Sequence, residues 1–384
     1  MTDRDCAGEA ARIMGICNAC RYCEGYCAVF PAMERRLDFS LSDLTFLANL
    51  CHQCQACYTA CQYAPPHEFA VNVPRSFAEL RRRSWVDHAW PRALAPLLER
   101  AGLWAALASA ASLALILIGT ALMVDGEVLF AAHAGPGAFY AVIPHQVMVA
   151  LFGGVFVYVI LALWLGARGF WRAIGADAAG PVTVGDWLTA IRDAATLRHL
   201  GGGGDGCPYP GERPANRRRV FHHLTFYGFA SCFAATVAGT VYHYGLGLEA
   251  PYGFASAPVI LGTLGGVGLI VGPAGLLWLR AGADPEPLDP GARSMDTAFA
   301  VLLVLTSITG LALLAARETP AMGLLLAVHL GIVLALFLTL PHGRFVHGIY
   351  RLVALVMNAR EARAEMSAGS GEPAGTAGLY ITER

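Results

Sequence analysis

A chain of 384 residues with 56% apolar and only 14% charged residues holds too little charge for an ordinary soluble domain, where about a quarter of residues are charged, and points to the bilayer as its solvent. A formal net charge of −1 argues for neither nucleic acid nor acidic substrates as partners. The basic residues are all arginine, which excludes any proposal needing a catalytic lysine, a Schiff base or a phosphate-loop lysine.

In chain order, Met1 to Met14 is polar, carries Asp3, Asp5 and Glu9 and has no apolar core, so no cleavable signal peptide is expected and the cysteines are expected in a reducing cytosol. Two cysteine runs follow, Cys17, Cys20, Cys23, Cys27 and then Cys51, Cys54, Cys57, Cys61, set 34 residues apart. Each reads C-x2-C-x2-C-x3-C, the run by which bacterial ferredoxins hold cubane iron–sulfur clusters. Four-cysteine zinc sites more often pair two C-x2-C halves far apart, so two 4Fe–4S clusters are the predicted cofactors. In two-cluster ferredoxins the fourth cysteine serves the other cluster. One ligand set is then Cys17, Cys20, Cys23 and Cys61, and the other Cys51, Cys54, Cys57 and Cys27. Pro31 and Pro65 stand four residues beyond each run, not immediately after it. Between the runs, Leu37 to Leu50 has helical apolar spacing with Ser40 or Ser42 as cap, so loop, helix, loop is expected.

Val71 to Arg100 is amphipathic and Arg-rich, with Trp85, Trp90, Pro91 and Pro96, and suits either the headgroup zone or a face against a partner. Six apolar stretches then approach the roughly 20 residues that cross a hydrocarbon layer: Leu103 to Val124, Pro144 to Gly166, Phe221 to Leu246, Ala257 to Leu279, Asp296 to Ala315 and Ala321 to Pro341. With a cytoplasmic N-terminus, 26 of the 27 arginines fall on the inner side and only Arg317 on the outer, a positive-inside bias that places both termini on the cytoplasmic side. Gly201 to Gly204, in the large inner segment 167–220, reads as a flexible loop, since no Gly-Lys-Ser/Thr ending follows. Gly262, Gly266, Gly268 and Gly272 give small-xxx-small packing on the fourth stretch, where Pro273 is expected to kink the helix, and Cys232 reads as a small core residue of the third.

Histidines within or beside membrane helices need partners. Those here are His145, His222, His223, His243, His329, His342 and His347. Two imidazoles from facing helices can clamp one haem b in a bundle core. The third stretch runs outward and the sixth inward, so His222 or His223 can face His347 at the inner end, while His243 can face His329 at the outer end. The helical spans between the members, about 30 and 27 Å, agree within tilt.

The final segment, His329-Leu-Gly-Ile-Val through Leu340-Pro341-His342-Gly343-Arg344-Phe345-Val346-His347, resembles the last helix of the cytochrome b subunit of respiratory nitrate reductase. In that family the two histidines at this spacing ligate separate haems, whereas a second histidine about ten residues into the partner helix is replaced here by Cys232 or Phe233. A wider resemblance covers nearly the whole chain. The strings Gly15-Ile-Cys-Asn-Ala-Cys-Arg-Tyr-Cys-Glu-Gly-Tyr-Cys-Ala-Val-Phe-Pro, Cys51-His-Gln-Cys-Gln-Ala-Cys-Tyr-Thr-Ala-Cys-Gln-Tyr-Ala-Pro-Pro-His and Arg218-Arg-Val-Phe-His-His-Leu-Thr-Phe-Tyr-Gly-Phe are similar to the tricarballylate-utilisation protein B family, also called the citrate-utilisation protein B family.

That resemblance implies a membrane partner of an FAD-dependent tricarballylate dehydrogenase, reoxidising its flavin and passing electrons through the clusters and haem b, one or two in number, to quinone. The expected fold is mainly α: a ferredoxin-like two-cluster domain with an amphipathic connector over residues 1–100, a six-helix cytochrome b-type bundle over 101–348, and a cytoplasmic tail over 349–384. A quinol-oxidising donor to a soluble reductase and an iron–sulfur or haem redox sensor are the alternatives. A transporter would call for polar groups near the bilayer midplane, and the first, second and fourth stretches are almost bare of them.

Overall fold

A computed structural model describes residues 3–209, 211 and 213–369; residues 370–384 of the expected tail lie outside that range. Among the described residues the chain is helical, with one isolated bridge pairing Cys207 with Ala215.

The N-terminal part begins with a helix that polar composition does not announce. α1 (Asp3–Cys20) buries a narrow stripe of Cys6, Ala10, Ile13 and Met14, and carries Cys17 and Cys20 in its last turn. After α2 (Val29–Glu34), the helix between the cysteine runs is α3 (Leu41–Leu50), four residues shorter at its start than its apolar spacing implies. Ser40 sets the start: it caps the Asp43 amide, and the Asp43 carboxylate returns a bond to the Ser40 amide. This reciprocal pair satisfies two otherwise orphaned donors. α4 (Ala56–Thr59) is a single turn inside the second run.

The Arg-rich segment divides into α5 (Val73–Asp87), capped by Asn72, and the short α6 (Pro96–Glu99). α5 packs between α1 and α3 and buries Phe77, Leu80, Arg81 and Trp85.

Among the described residues six helices are long and apolar enough to cross a membrane. They are α7 (Ala101–Met123), α10 (His145–Ala173), α12 (Arg217–Leu246), α13 (Ala257–Ala281), α14 (Arg293–Ala316) and α15 (Met322–Thr339), with α8 (Gly126–Leu129) and α9 (Ala138–Val142) between the first two and α11 (Val184–Ala195) between the second and third. α10 and α12 extend a turn or more beyond their apolar stretches at the Arg-rich end, because backbone hydrogen bonding continues after hydropathy falls. α15 ends before Pro341, which cannot donate to a further helical turn. α13 lies between α12 and α14, α14 also meets α15 and α7, and α10 rests on α15.

Contact between α12 and α13 is close enough to exclude side chains. A Cβ on Gly265 would lie 2.7 Å from Cys232 Sγ and 2.8 Å from the Gly228 carbonyl, and one on Gly268 would lie 3.0 Å from the Leu224 carbonyl. Cys232 is therefore a packing residue of this interface, as its size implies. Gly266 instead faces Leu311 of α14, so the glycine stripe serves two neighbours. Leucine at Gly265 is expected to destabilise the bundle by about 1–3 kcal/mol, read as a lower melting temperature in detergent. Alanine at Gly262, whose Cβ would meet Ala235 at an ordinary 3.7 Å, is expected to leave it unchanged.

After the short turn Leu340–His342 the chain forms α16 (Val346–Gly369), which lies against α3, α10 and α11. The residues following 348 thus begin as a packed helix. Tyr350, Ala354, Leu355, Val356 and Met357 share one core with Ile13, Phe30, Phe46, Phe77 and Trp85 of the cysteine domain and with Phe170 at the end of α10. Ion pairs add to this seam: Arg36 meets Glu361 at 2.7 Å and Asp43 at 2.7 Å, and Arg35 meets Glu365 at 2.9 Å. α16 therefore fixes the cysteine domain against the Arg-rich end of the bundle.

Candidate metal centres

Cavity and thiols coincide in the cysteine domain. A cavity of about 270 Å³ is lined by Cys17, Cys20, Cys23, Cys57 and Cys61, with Ile16, Tyr22, Phe30 and Tyr63 among its walls. It brings the fourth cysteine of the second run to the first three of the first run. Burial, then Cys23, Cys61 and Cys20, pushes the Cys17 thiol up to about 12; burial, then Cys61 and Cys20, does the same for Cys23. The other four also converge. Burial followed by Cys54 and Cys51 raises the Cys27 thiol well above its ordinary value, and burial followed by Cys54, Cys27 and Cys51 raises Cys57. A metal that binds here displaces these protons, because the thiolate is the ligand form. Among the described residues no three His, Cys, Asp or Glu groups converge on a point suited to one metal ion. Five thiols line one space, and cysteine ligands of this kind hold either a zinc ion or an iron–sulfur cluster.

Backbone conformation shapes these loops. Arg21, Gln53 and Gln55, each inside a cysteine run, take φ of 54°, 52° and 66°, a left-handed region that few side chains adopt. The turn at Gln53 brings its amide within 3.4 Å of Cys51 Sγ, where it donates to the sulfur. The tetraglycine is part of this enclosure: Gly202, Gly203 and Gly204 have positive φ, and a Cβ on Gly203 would meet the Gly25 carbonyl at 3.2 Å. Cys207 is buried beside them and its Sγ donates to the Cys54 carbonyl at 2.9 Å.

The two thiol sets differ in exposure. Cys20 is exposed and Tyr22 beside it is 68% exposed, whereas Cys51 and Cys54 are buried. Behind Cys51 lies a group of guanidiniums. Arg81 Nη1 and Arg351 Nη2 both donate to the Cys51 carbonyl, at 2.8 and 2.7 Å, and Arg218 donates to the Gln53 carbonyl. Burial and the neighbouring Arg344 push the Arg81 guanidinium down to about 10. Sequence reading treats Arg81 as a surface residue. Its position was nonetheless legible, because Phe77, Arg81 and Trp85 recur every four residues on one helical face.

Beyond the guanidiniums stand the imidazoles. His222 of α12 and His347 of α16 have ring centres 6.2 Å apart, at 75°. Metal–imidazole bonds are about 2 Å long, so two rings on one metal sit on the order of 6 Å apart. The His347 Nδ1 hydrogen-bonds the Arg344 carbonyl at 2.6 Å, which leaves its Nε2 as the free ligand atom, and the buried His222 Nδ1 has no partner. Burial, then Arg344 and Arg351, drives the His347 imidazole well below its ordinary value, keeping it neutral as ligation requires. This pair fits a haem. His223, the alternative partner for His347, turns instead toward Tyr227, 5.7 Å between ring centres.

At the opposite end the structure groups the histidines differently. His243 stacks on His145 with centres 3.9 Å apart and 27° between planes, a contact that leaves no room for a ring between them. His329 turns to α14, its Nδ1 3.1 Å from Thr309 Oγ1 and its ring across Gly310. His342 is buried and hydrogen-bonds the Tyr158 hydroxyl at 2.8 Å. His243 and His329 thus have separate neighbours, and His52, which follows Cys51, joins the group at the Arg-rich end with its buried Nε2 unpartnered.

A cleft of about 760 Å³ opens beside the second thiol set, bounded by Tyr26 and Cys27, by Asp193 and His199, and by Arg363 of α16.

Comparison with known proteins agrees with this division. Residues 10–87 match the family described as Citrate utilization protein B Fer4-like domain, and residues 98–368 match Citrate utilization protein B. The chain is 50% identical over 362 residues, 94% of each chain, to Citrate utilization protein B of Escherichia coli. No solved structure matches. This chain, an iron–sulfur domain joined to six helices able to cross a membrane, belongs to the citrate utilization protein B family.

Proposed function

We propose that the protein carries electrons from the reduced FAD of a soluble dehydrogenase acting on a tricarboxylate such as tricarballylate or citrate to quinone in the bacterial cytoplasmic membrane, with both termini in the cytoplasm. When bound, two 4Fe–4S clusters and one haem b supply the one-electron carriers that link a two-electron flavin to a two-electron quinone. The chain's own residues arrange them. Cys17, Cys20, Cys23 and Cys61 hold the centre nearer the surface, Cys51, Cys54, Cys57 and Cys27 the deeper one, and His222 with His347 the haem. The observation that carries this reading is the gradient from exposed Cys20, through buried Cys51 and Cys54, to the paired imidazoles at the bundle end. The surface thiol set is then the entrance, and the apolar bundle excludes water from the exit. The arginine bias supports the orientation, and the family name of the relative supports the class of substrate handled by the dehydrogenase.

Anaerobic membranes mixed with the reduced flavoprotein test this. A b-type absorbance band is expected to rise on mixing and to decay when a quinone analogue is added. A band that rises only with quinol would reverse the direction of flow, and one that responds to neither would favour a sensor.

A further inference from the structure

The guanidiniums behind Cys51 are more numerous than their partners. Arg81 is buried, and Arg351 is half-buried overall with its Nε fully enclosed; in both, Nε donates to nothing. Each commits one Nη to the Cys51 carbonyl. Asp296, whose charge acts on Arg81, is already paired with Arg280 and Arg344. Buried charge is strongly unfavourable without a counter-ion; the Cys51 thiolate, which acts on both guanidiniums, supplies one, and the free Nε donors call for a further acceptor.

Position selects which anion. Arg344 and Arg351 stand three residues before and four after His347, one turn to either side of its imidazole. The guanidiniums reach the Cys51 carbonyl and not its sulfur, which accepts from the Gln53 amide. Arg351, whose charge acts on both imidazoles, and Arg81, which shares its Cys51 carbonyl acceptor and lies over the Trp85 ring, thus meet at the cysteine loop. Resting on the haem assignment above, we infer that Arg81 and Arg351 are positioning residues that bind the two propionate carboxylates of a porphyrin held by His222 and His347, turning its carboxylate edge toward the Cys51 loop. Each guanidinium then bridges the Cys51 carbonyl to a propionate, so one planar fork joins the deeper thiol loop to the porphyrin edge.

The test uses the full chain in membranes of haem-deficient cells, loaded with haem b or with haem dimethyl ester, which lacks the carboxylate charges. The unaltered protein is expected to bind haem more tightly than the ester, by about tenfold or more. In Arg351→Gln and Arg81→Gln that preference is expected to collapse toward unity, with Arg351→Lys recovering part of it. The haem midpoint potential is expected to fall in both Gln variants, because a nearby cation favours the electron-bearing form; a tenfold change in the reduction equilibrium corresponds to about 59 mV. Equal binding of haem and ester by the unaltered protein would overturn the inference. So would variants that weaken both ligands in the same ratio, or that alter only the iron–sulfur signals. Failure of the haem assignment itself looks different: neither porphyrin binds, although the iron–sulfur content is intact.

Discussion

Serine in place of Cys61 is expected to remove about four of the eight non-haem iron atoms that two cubanes contribute, and serine added at Cys17 in the same chain is expected to remove no more. Serine at Cys17 together with Cys27 is expected to remove nearly all. The prediction follows from which thiols share a space. Cys17, Cys20, Cys23 and Cys61 line one cavity, with Cys57 of the other set also on its wall, although Cys61 is 44 residues from Cys17, and the thiols that act on Cys27 are Cys54 and Cys51. Two substitutions within one site overlap in effect, while substitutions in separate sites add. Iron and acid-labile sulfide, measured on anaerobically purified protein, decide it. If each run held its own cluster, the Cys17 and Cys27 double variant would lose only half the iron, and crossed ligation would be wrong. Zinc at one or two atoms per chain with little iron would remove the electron-transfer reading altogether.

The crossed arrangement has a structural consequence for stability. As proposed, one site would join the end of α1 to Cys61 beyond α4 and the other would join Cys27, just before α2, to the residues around α4, so filling both would tie together segments whose apolar core is small. Ala10, Ile13 and Met14 are the chief buried anchors of α1. Metal binding and folding are therefore expected to be coupled in this domain. α16 supplies a second tie through its shared core and the Arg36 to Glu361 pair, so the domain stays seated on the bundle while its loops respond to the metal.

What was legible in the sequence followed from how local each signal is. Six apolar runs, the arginine distribution and two cysteine runs act through spacing within a few residues, and the helices found reproduce those runs with ends displaced by a turn or two. α1 escaped because its buried stripe is narrow and becomes apolar only against α5. Arg81 escaped because charge is a poor guide to burial when the partner is a distant backbone carbonyl. The pairing of His329 with His243 agreed in depth along the helices but not in direction around them: one faces Thr309 and the other His145. Depth can be counted from sequence, whereas azimuth depends on how α12, α14 and α15 rotate when they pack. In α12 that rotation is set by Gly228, Gly265 and Gly268, whose close approach turns one face of the helix to α13 and leaves His222 toward His347.

Rotation of α12 also yields the sharpest expectation for the haem. Successive residues of a helix differ by about 100° in direction, so His222 and His223 cannot both address His347. Alanine at His222 or at His347 is expected to abolish the reduced b-type absorbance band, since either change leaves the iron with one imidazole in a bundle end crowded with arginines. Alanine at His223 is expected to retain the band, because that ring lies beside Tyr227. Alanine at His243, stacked against His145, is expected to retain it too. Potentiometric titration of each variant, normalised to iron–sulfur content, separates loss of haem from loss of protein. A band that survives His222→Ala but vanishes in His223→Ala would show α12 turned by one residue. Loss in His329→Ala as well would mean that a second haem lies toward Thr309, with one axial position served by a group other than His243.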